Sequence, residues 1–182
     1  MTARLARLPE LLVSVVLAFF IGGCSDGRRG VNPGDKAPEI HGTDLAGEPL
    51  SLSSIQGKIV LLNFWATWCA PCMAELPALQ ELYEKLKDKG FVIVGVALDD
   101  TPENIKEAQS QFHITYPILL NEGSRCKRDY QIKGLPESYV LDAQHSVLIV
   151  QDPEDGNPVT RIIGPREWSK NRALQVFQGL LQ

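Results

Sequence analysis

Cys69 and Cys72 stand three residues apart in the run Trp68-Cys69-Ala70-Pro71-Cys72, between a short apolar stretch and a segment of helical periodicity. A thiolate at a helix N-terminus is stabilised by unpaired backbone N–H groups and by the positive end of the helix dipole. Such surroundings lower a cysteine pKa from about 8.5 to between about 3.5 and 7.5. Cys69 is therefore expected to attack, and Cys72, one turn into the helix, to resolve the mixed disulfide that results. Three other uses of the pair compete. A structural disulfide across so short a loop gains little from loop closure. Zinc needs further ligands, and His41, His113 and His145 are scattered. Copper(I) accepts two soft thiolates and stays open as a reading.

The elements that must position the pair follow from periodicity. Residues 58–65 are short and nearly all apolar, as in a strand covered on both faces. Over 71–89, Leu76, Leu79, Leu82, Tyr83 and Leu86 recur at helical spacing and Gly90 offers a stop. A second buried strand is expected at 91–98. Thr101 followed by Pro102 signals a helix running to about residue 112. A strand at 116–120 and a short helix at 124–130 come next. Residues 136–141 and 147–150 should form an antiparallel hairpin, with a strand at 159–163 and a final helix over 167–180. Strands alternating with helices, then a hairpin and a helix, predict an α/β fold with a mixed central sheet and helices on both faces.

The chain of 182 residues is 44% hydrophobic and 22% charged, suited to one globular domain. A net charge of -4 supplies no basic field for a phosphate backbone, so nucleic acid is not an expected partner. Arg4 and Arg7 precede an apolar run over 11–21, a signal-peptide pattern whose run is about half the length a membrane-spanning helix needs. Ile21-Gly22-Gly23-Cys24 resembles a bacterial lipobox, which implies lipid on Cys24; ordinary cleavage leaving a free thiol is the alternative. The expected division is a signal peptide over 1–23, a lipid-anchored flexible linker over 24–35 and a folded domain over 36–182. The protein is then extracytoplasmic, on the periplasmic side, tethered but not spanning, and monomeric.

The motif from Asn63 through Trp68, Cys69, Pro71, Cys72 and Glu75 to Pro77 resembles the active-site signature of the TlpA/ResA group of thioredoxin-like proteins, to which the reductase CcmG is similar. Gly134-Leu135-Pro136-Glu137 is similar to the loop that bears the superfamily's cis-proline. The resemblance implies a thioredoxin-like three-layer fold and a cis Leu135-Pro136 bond facing the cysteines. Leu135 would offer its backbone to a partner peptide, beside Trp68, Pro71 and Pro136. Where general thioredoxins carry a buried aspartate, this chain has Asn63, which cannot titrate. Glu75, three residues after Cys72, is the candidate to tune or relay the proton of the pair, with dipole stabilisation as the alternative. Glu137 is either part of the groove or exposed.

The expected reaction is reduction of a disulfide in a client protein, without metal or organic cofactor. The resemblance implies apocytochrome c as client, in cytochrome c maturation, and a membrane electron donor of DsbD or CcdA type. A peroxiredoxin-like peroxide reductase and a copper-binding assembly factor are the rival functions. Cys126, among Arg125, Lys127 and Arg128, is expected to be a half-buried helix residue and not catalytic.

Overall fold

The computed structural model describes residues 31–121 and 124–182. The expected signal peptide over 1–23 and the expected lipidation site at Cys24 lie outside the described residues. The sheet is entered through two short strands, β1 (His41–Thr43) and β2 (Pro49–Ser51), joined by a turn in which Asp44 accepts hydrogen bonds from the amides of Ala46 and Glu48. A 3-10 turn over Leu52–Ser54 leads to β3 (Ile59–Trp65), every residue of which is buried. Helix α1 (Ala70–Leu86) tightens into a 3-10 turn over Lys87–Lys89, and Gly90, at φ 96°, ends it. Then come β4 (Phe91–Leu98), α2 (Pro102–Gln111), β5 (Ile118–Asn121) and α3 (Ser124–Asp129). The hydroxyl of Thr101 caps α2 by accepting from the amide of Asn104 at 3.2 Å. The chain closes with β6 (Glu137–Asp142), β7 (Val150–Gln151), β8 (Pro158–Val159), β9 (Ile162–Ile163) and α4 (Asn171–Leu180).

The seven-stranded sheet has the order β2-β1-β5-β4-β3-β6-β9, with β3, β4 and β5 parallel and the remaining pairings antiparallel. This is the mixed sheet expected from the sequence. Alternation along β3 sends Ile59, Leu61 and Trp65 to one layer, where they meet Leu76, Leu79 and Leu82 of α1 and Phe177 of α4. Val60, Leu62 and Phe64 enter the other layer, with Cys126 of α3 and Tyr130 behind it. Helices thus cover both faces. Gly95 pairs with Asn63 in the middle of the sheet, and a Cβ there would sit 2.9 Å from Trp65 Nε1, so the close approach requires glycine. No described helix is long and apolar enough to cross a membrane.

The C-terminal third departs from the expected pattern. Of the hairpin over 136–150, the turn end alone is made: the Leu141↔Val147 bridge, with hydrogen bonds from Asp142 N–H to Ser146 O, His145 N–H to Asp142 O and Leu148 N–H to Val140 O. The other end of the same β6 edge is taken by β9, which pairs Ile163 with Glu137 and Ile162 with Ser138. With both ends occupied, the intervening chain leaves the sheet and forms its own ribbon, Val150 opposite Val159. The expected strand over 159–163 is therefore divided between two sheets. The last helix starts at Asn171, not at 167, which leaves Trp168 buried in the segment before it.

Candidate active site

Cys69 is the N-cap of α1, with extended backbone (φ -92°, ψ 97°), and its Sγ accepts a hydrogen bond from the amide of Cys72 at 3.3 Å. Pro71 occupies the first turn, where its missing N–H removes nothing from the helix. The sulfur therefore lies where free amides and the dipole favour negative charge, as the sequence predicts. Cys69 and Cys72 are joined in a disulfide. Cys69 is 6% exposed and Cys72 0%, so a partner approaching from solvent meets Cys69 first.

The loop ahead of Cys69 is fixed by Asp100, at the end of the adjacent strand. Its Oδ2 accepts from Thr67 N and Thr67 Oγ1, both at 2.6 Å, and its Oδ1 from Thr101 N at 2.9 Å and Asn104 Nδ2 at 3.1 Å. Burial pushes the Asp100 carboxyl up, but these hydrogen bonds outweigh it and hold the group below its ordinary range. Trp68 is 61% exposed, its indole N–H donating to Asp99 O at 3.2 Å, and shallow grooves flank its ring. Pro71 is also exposed.

Leu135-Pro136 is cis. Because Glu137 pairs with Phe64, Pro136 stands level with Trp65 at the end of β3 from which the cysteine loop departs. Leu135 is half-buried, while Pro136 is buried and its carbonyl accepts from Gly164 N at 2.9 Å. Glu137 is fully buried on the far face of the sheet from Glu75. It pairs with Arg161 at 3.2 Å and accepts from the Tyr139 hydroxyl at 3.3 Å. Burial pushes its carboxyl up, against the pull of Arg161.

Glu75 lies on the buried face of α1 that also carries Cys72. Its Oε1 accepts from Asn63 Nδ2 at 3.0 Å, and its Oε2 from Trp168 Nε1 at 2.8 Å and Arg166 N at 3.1 Å. Burial raises its pKa, opposed by these hydrogen bonds and the Arg166 charge. Asn63 also donates to Ser138 Oγ at 3.0 Å, which ties β3, β6 and α1 together beneath the disulfide. Asn63 and Glu75 are in direct contact, and Glu75 shares the buried face of α1 with Cys72. Arg166, Trp168, Ser138 and Asp100 were not singled out for the site from sequence.

Cys126 is buried, and burial, followed by Asp129, pushes its thiol up to about 12 despite the basic neighbours in the sequence. Among the described residues no group of three His, Cys, Asp or Glu side chains is placed to hold a metal ion.

The model of the AhpC/TSA family matches residues 33–149. The thiol-disulfide oxidoreductase ResA of Bacillus cereus is 36% identical over 131 residues, covering 72% of this chain and 69% of the relative. The thioredoxin-like protein YneN of Bacillus subtilis is 35% identical, covering 68% and 71%. Among solved structures, a thiol:disulfide interchange protein of the thioredoxin family from Chlorobium tepidum superposes with a TM-score of 0.66 at 29% identity, covering 85% of this chain and all of that one. The sulfur pair at the helix start and these likenesses converge on one assignment: the chain belongs to the AhpC/TSA family, as a thioredoxin-fold thiol-disulfide oxidoreductase of the ResA kind.

Proposed function

We propose that this protein is an extracytoplasmic reductase of client disulfides, tethered to the membrane through lipid on Cys24, with a linker over 24–35 and a catalytic domain over 36–182. The observation that carries the chemistry is the asymmetry of the pair: Cys69 at the helix N-cap, accepting an amide hydrogen bond, and Cys72 enclosed behind it. In the reduced protein the Cys69 thiolate attacks one sulfur of the client disulfide, forms a mixed disulfide and releases the other client sulfur as a thiolate. Cys72 loses its proton and attacks Cys69 Sγ, which releases the second client thiol and leaves the Cys69–Cys72 disulfide. Two electrons pass to the client, and a membrane donor of DsbD or CcdA type returns two to the pair.

Glu75 shares the buried face of α1 with Cys72 and receives the proton that Cys72 gives up. Its raised proton affinity suits the task, because a carboxyl at its ordinary value would be a poor acceptor near neutral pH. Trp68 and Pro71 supply exposed apolar contact, and Leu135 beside Pro136 supplies backbone for strand-like pairing with the client. The client class follows from the likeness to the ResA and CcmG group: the paired haem-site cysteines of apocytochrome c.

This client assignment is tested with the reduced full chain, held in detergent, against two substrates: an oxidised Cys-x-x-Cys-His peptide and insulin. The expected result is faster reduction of the peptide by on the order of tenfold, equal to about 1.4 kcal/mol of preference. Equal rates, or reduction of insulin alone, would remove the haem-site client and leave a general reductase.

A further inference from the structure

Among the described residues, none forms an ion pair with the buried carboxylate of Glu75. The nearest cation, the guanidinium of Arg166, is turned away from it and makes a two-pronged pair with Asp152: Nε to Oδ1 at 2.8 Å and Nη2 to Oδ2 at 2.7 Å. The same guanidinium donates through Nη1 to the carbonyls of Ile163 at 3.0 Å, Gly164 at 3.3 Å and Pro165 at 2.9 Å. It thus closes the chain around itself, with Gly164 in the left-handed region at φ 84°. The product of that fold is an outward-turned side chain and an inward-turned amide, and the amide points at Glu75 Oε2. Two residues on, the fully buried Trp168 directs its indole N–H to the same oxygen, its ring held against Phe177 of α4 with centroids 6.3 Å apart. Gly164 also donates to Pro136 O, so the segment touches both the cysteine helix and the cis-proline loop.

We propose that residues 163–168, pinned by the Asp152–Arg166 ion pair, are the device that positions the Glu75 carboxylate and sets its affinity for the proton, with Trp168 as the main side-chain donor. The proposal rests on the reading that Glu75 serves the cysteine pair, and it adds the residues that make Glu75 fit for that service. Neither Arg166 nor Trp168 is a catalytic residue; both act through Glu75. The groups that face Glu75 are few. Arg166 comes from the segment before α4, its charge largely answered by Asp152 and, further out, Glu154. Tyr116 comes from the approach to β5, its hydroxyl kept protonated by burial and by Glu75. Cys72 shares the helix face, and β3 and β6 contribute only the non-titrating Asn63 and Ser138. Burial is the largest influence on the carboxyl and favours its protonated form; the donated N–H groups, ahead of the Arg166 charge, are what oppose it.

The test reads the carboxyl itself. In the oxidised full chain with carbon-13 at the glutamate carboxyls, Glu75→Gln assigns the Glu75 resonance, and its pH midpoint is compared between the parent and Trp168→Phe. Phenylalanine keeps an aromatic ring in the layer of Phe177 and removes the N–H together with part of the indole's volume. The expected result is a midpoint higher by about one pH unit, the effect of losing one hydrogen bond to a charged group. In the parent, the Trp168 indole proton should titrate with the same midpoint as the Glu75 carboxyl and go flat in Glu75→Gln; this second readout stands even if Trp168→Phe fails to fold. An unmoved midpoint in a folded Trp168→Phe, or an indole signal flat in the parent, overturns the proposal. Since the measurement is made on the disulfide form, its outcome is independent of turnover: a parent chain that fails to cycle Cys69 and Cys72 defeats the functional reading whatever the carboxyl does.

Discussion

Cys72→Ser, reduced and mixed with an oxidised client, accumulates as a covalent adduct through Cys69 and turns over more slowly than the parent by a factor on the order of a thousand. The enclosure of Cys72 means that a client can reach only Cys69 from solvent, so the first attack is preserved. What is lost is the second step. A serine oxygen at position 72 cannot displace a thiol from the mixed disulfide, and Cys126, buried on the other layer of the sheet, is not placed to substitute for it. The adduct is read by intact mass under non-reducing conditions. Cys69→Ser should give no adduct at all. An adduct on Cys72 in that variant, or on Cys126 in either, would reverse the assignment of attacking and resolving thiols.

The second large effect is a change in how stability depends on pH in Glu75→Gln. In the unfolded chain Glu75 ionises near its ordinary value of 4.5, whereas in the folded chain burial raises that value. Below about 4.5 both states hold the proton, and the raised value costs nothing. As pH climbs from there through the folded midpoint, the unfolded state gives up its proton first, so the native state loses stability across that window. Above the window the loss is complete, at about 1.4 kcal/mol for each pH unit that separates the folded midpoint from the unfolded one. Glutamine cannot ionise, so the unfolding free energy of the variant relative to the parent should improve over the same window and then level off. The amide presents one donor where Glu75 has only acceptors, and with Trp168 and Arg166 both donating to that site it loses part of the hydrogen bonding at every pH. That loss is constant, which is why the slope and not the offset is the test. Denaturant unfolding of both proteins from pH 4 to 9 reads it, and a difference that stays level throughout would contradict a raised Glu75.

Much of this site was legible because its parts are local. Cys69, Cys72 and Glu75 fall within the first two turns of a single helix, and the nearly all-apolar β3 that feeds them announces itself by its lack of alternation. Asn63, on the same strand, was flagged through the family resemblance, and its contact with Glu75 spans only twelve residues of sequence. The partners of Glu75 that lie 91 and 93 residues away were not legible, because nothing in a linear pattern says that Arg166 would offer its amide and not its guanidinium. Trp168 falls among the apolar positions of the helical pattern over 167–180, which accounts for its ring and not for its N–H. The sequence leaves Glu137 between groove and surface; it is fully buried and pairs with Arg161, in the bend before β9, which periodicity does not encode. The divided strands near the C-terminus escaped for a related reason. Which of two segments wins each end of the β6 edge is decided by the whole sheet and not by the residues of either segment.

The reduction potential of the Cys69–Cys72 pair bears most directly on the claim that this protein donates electrons to client disulfides. It is measured by equilibrating the full chain in detergent with defined ratios of oxidised and reduced dithiothreitol or glutathione, with Cys126→Ser alongside to remove the third thiol. We expect a value well below about -200 mV, on the thioredoxin side of the scale, where the reduced pair is thermodynamically able to pass electrons on. A value near about -120 mV would contradict the account, since a pair so stabilised in its reduced form takes electrons from its partners and makes disulfides instead of breaking them.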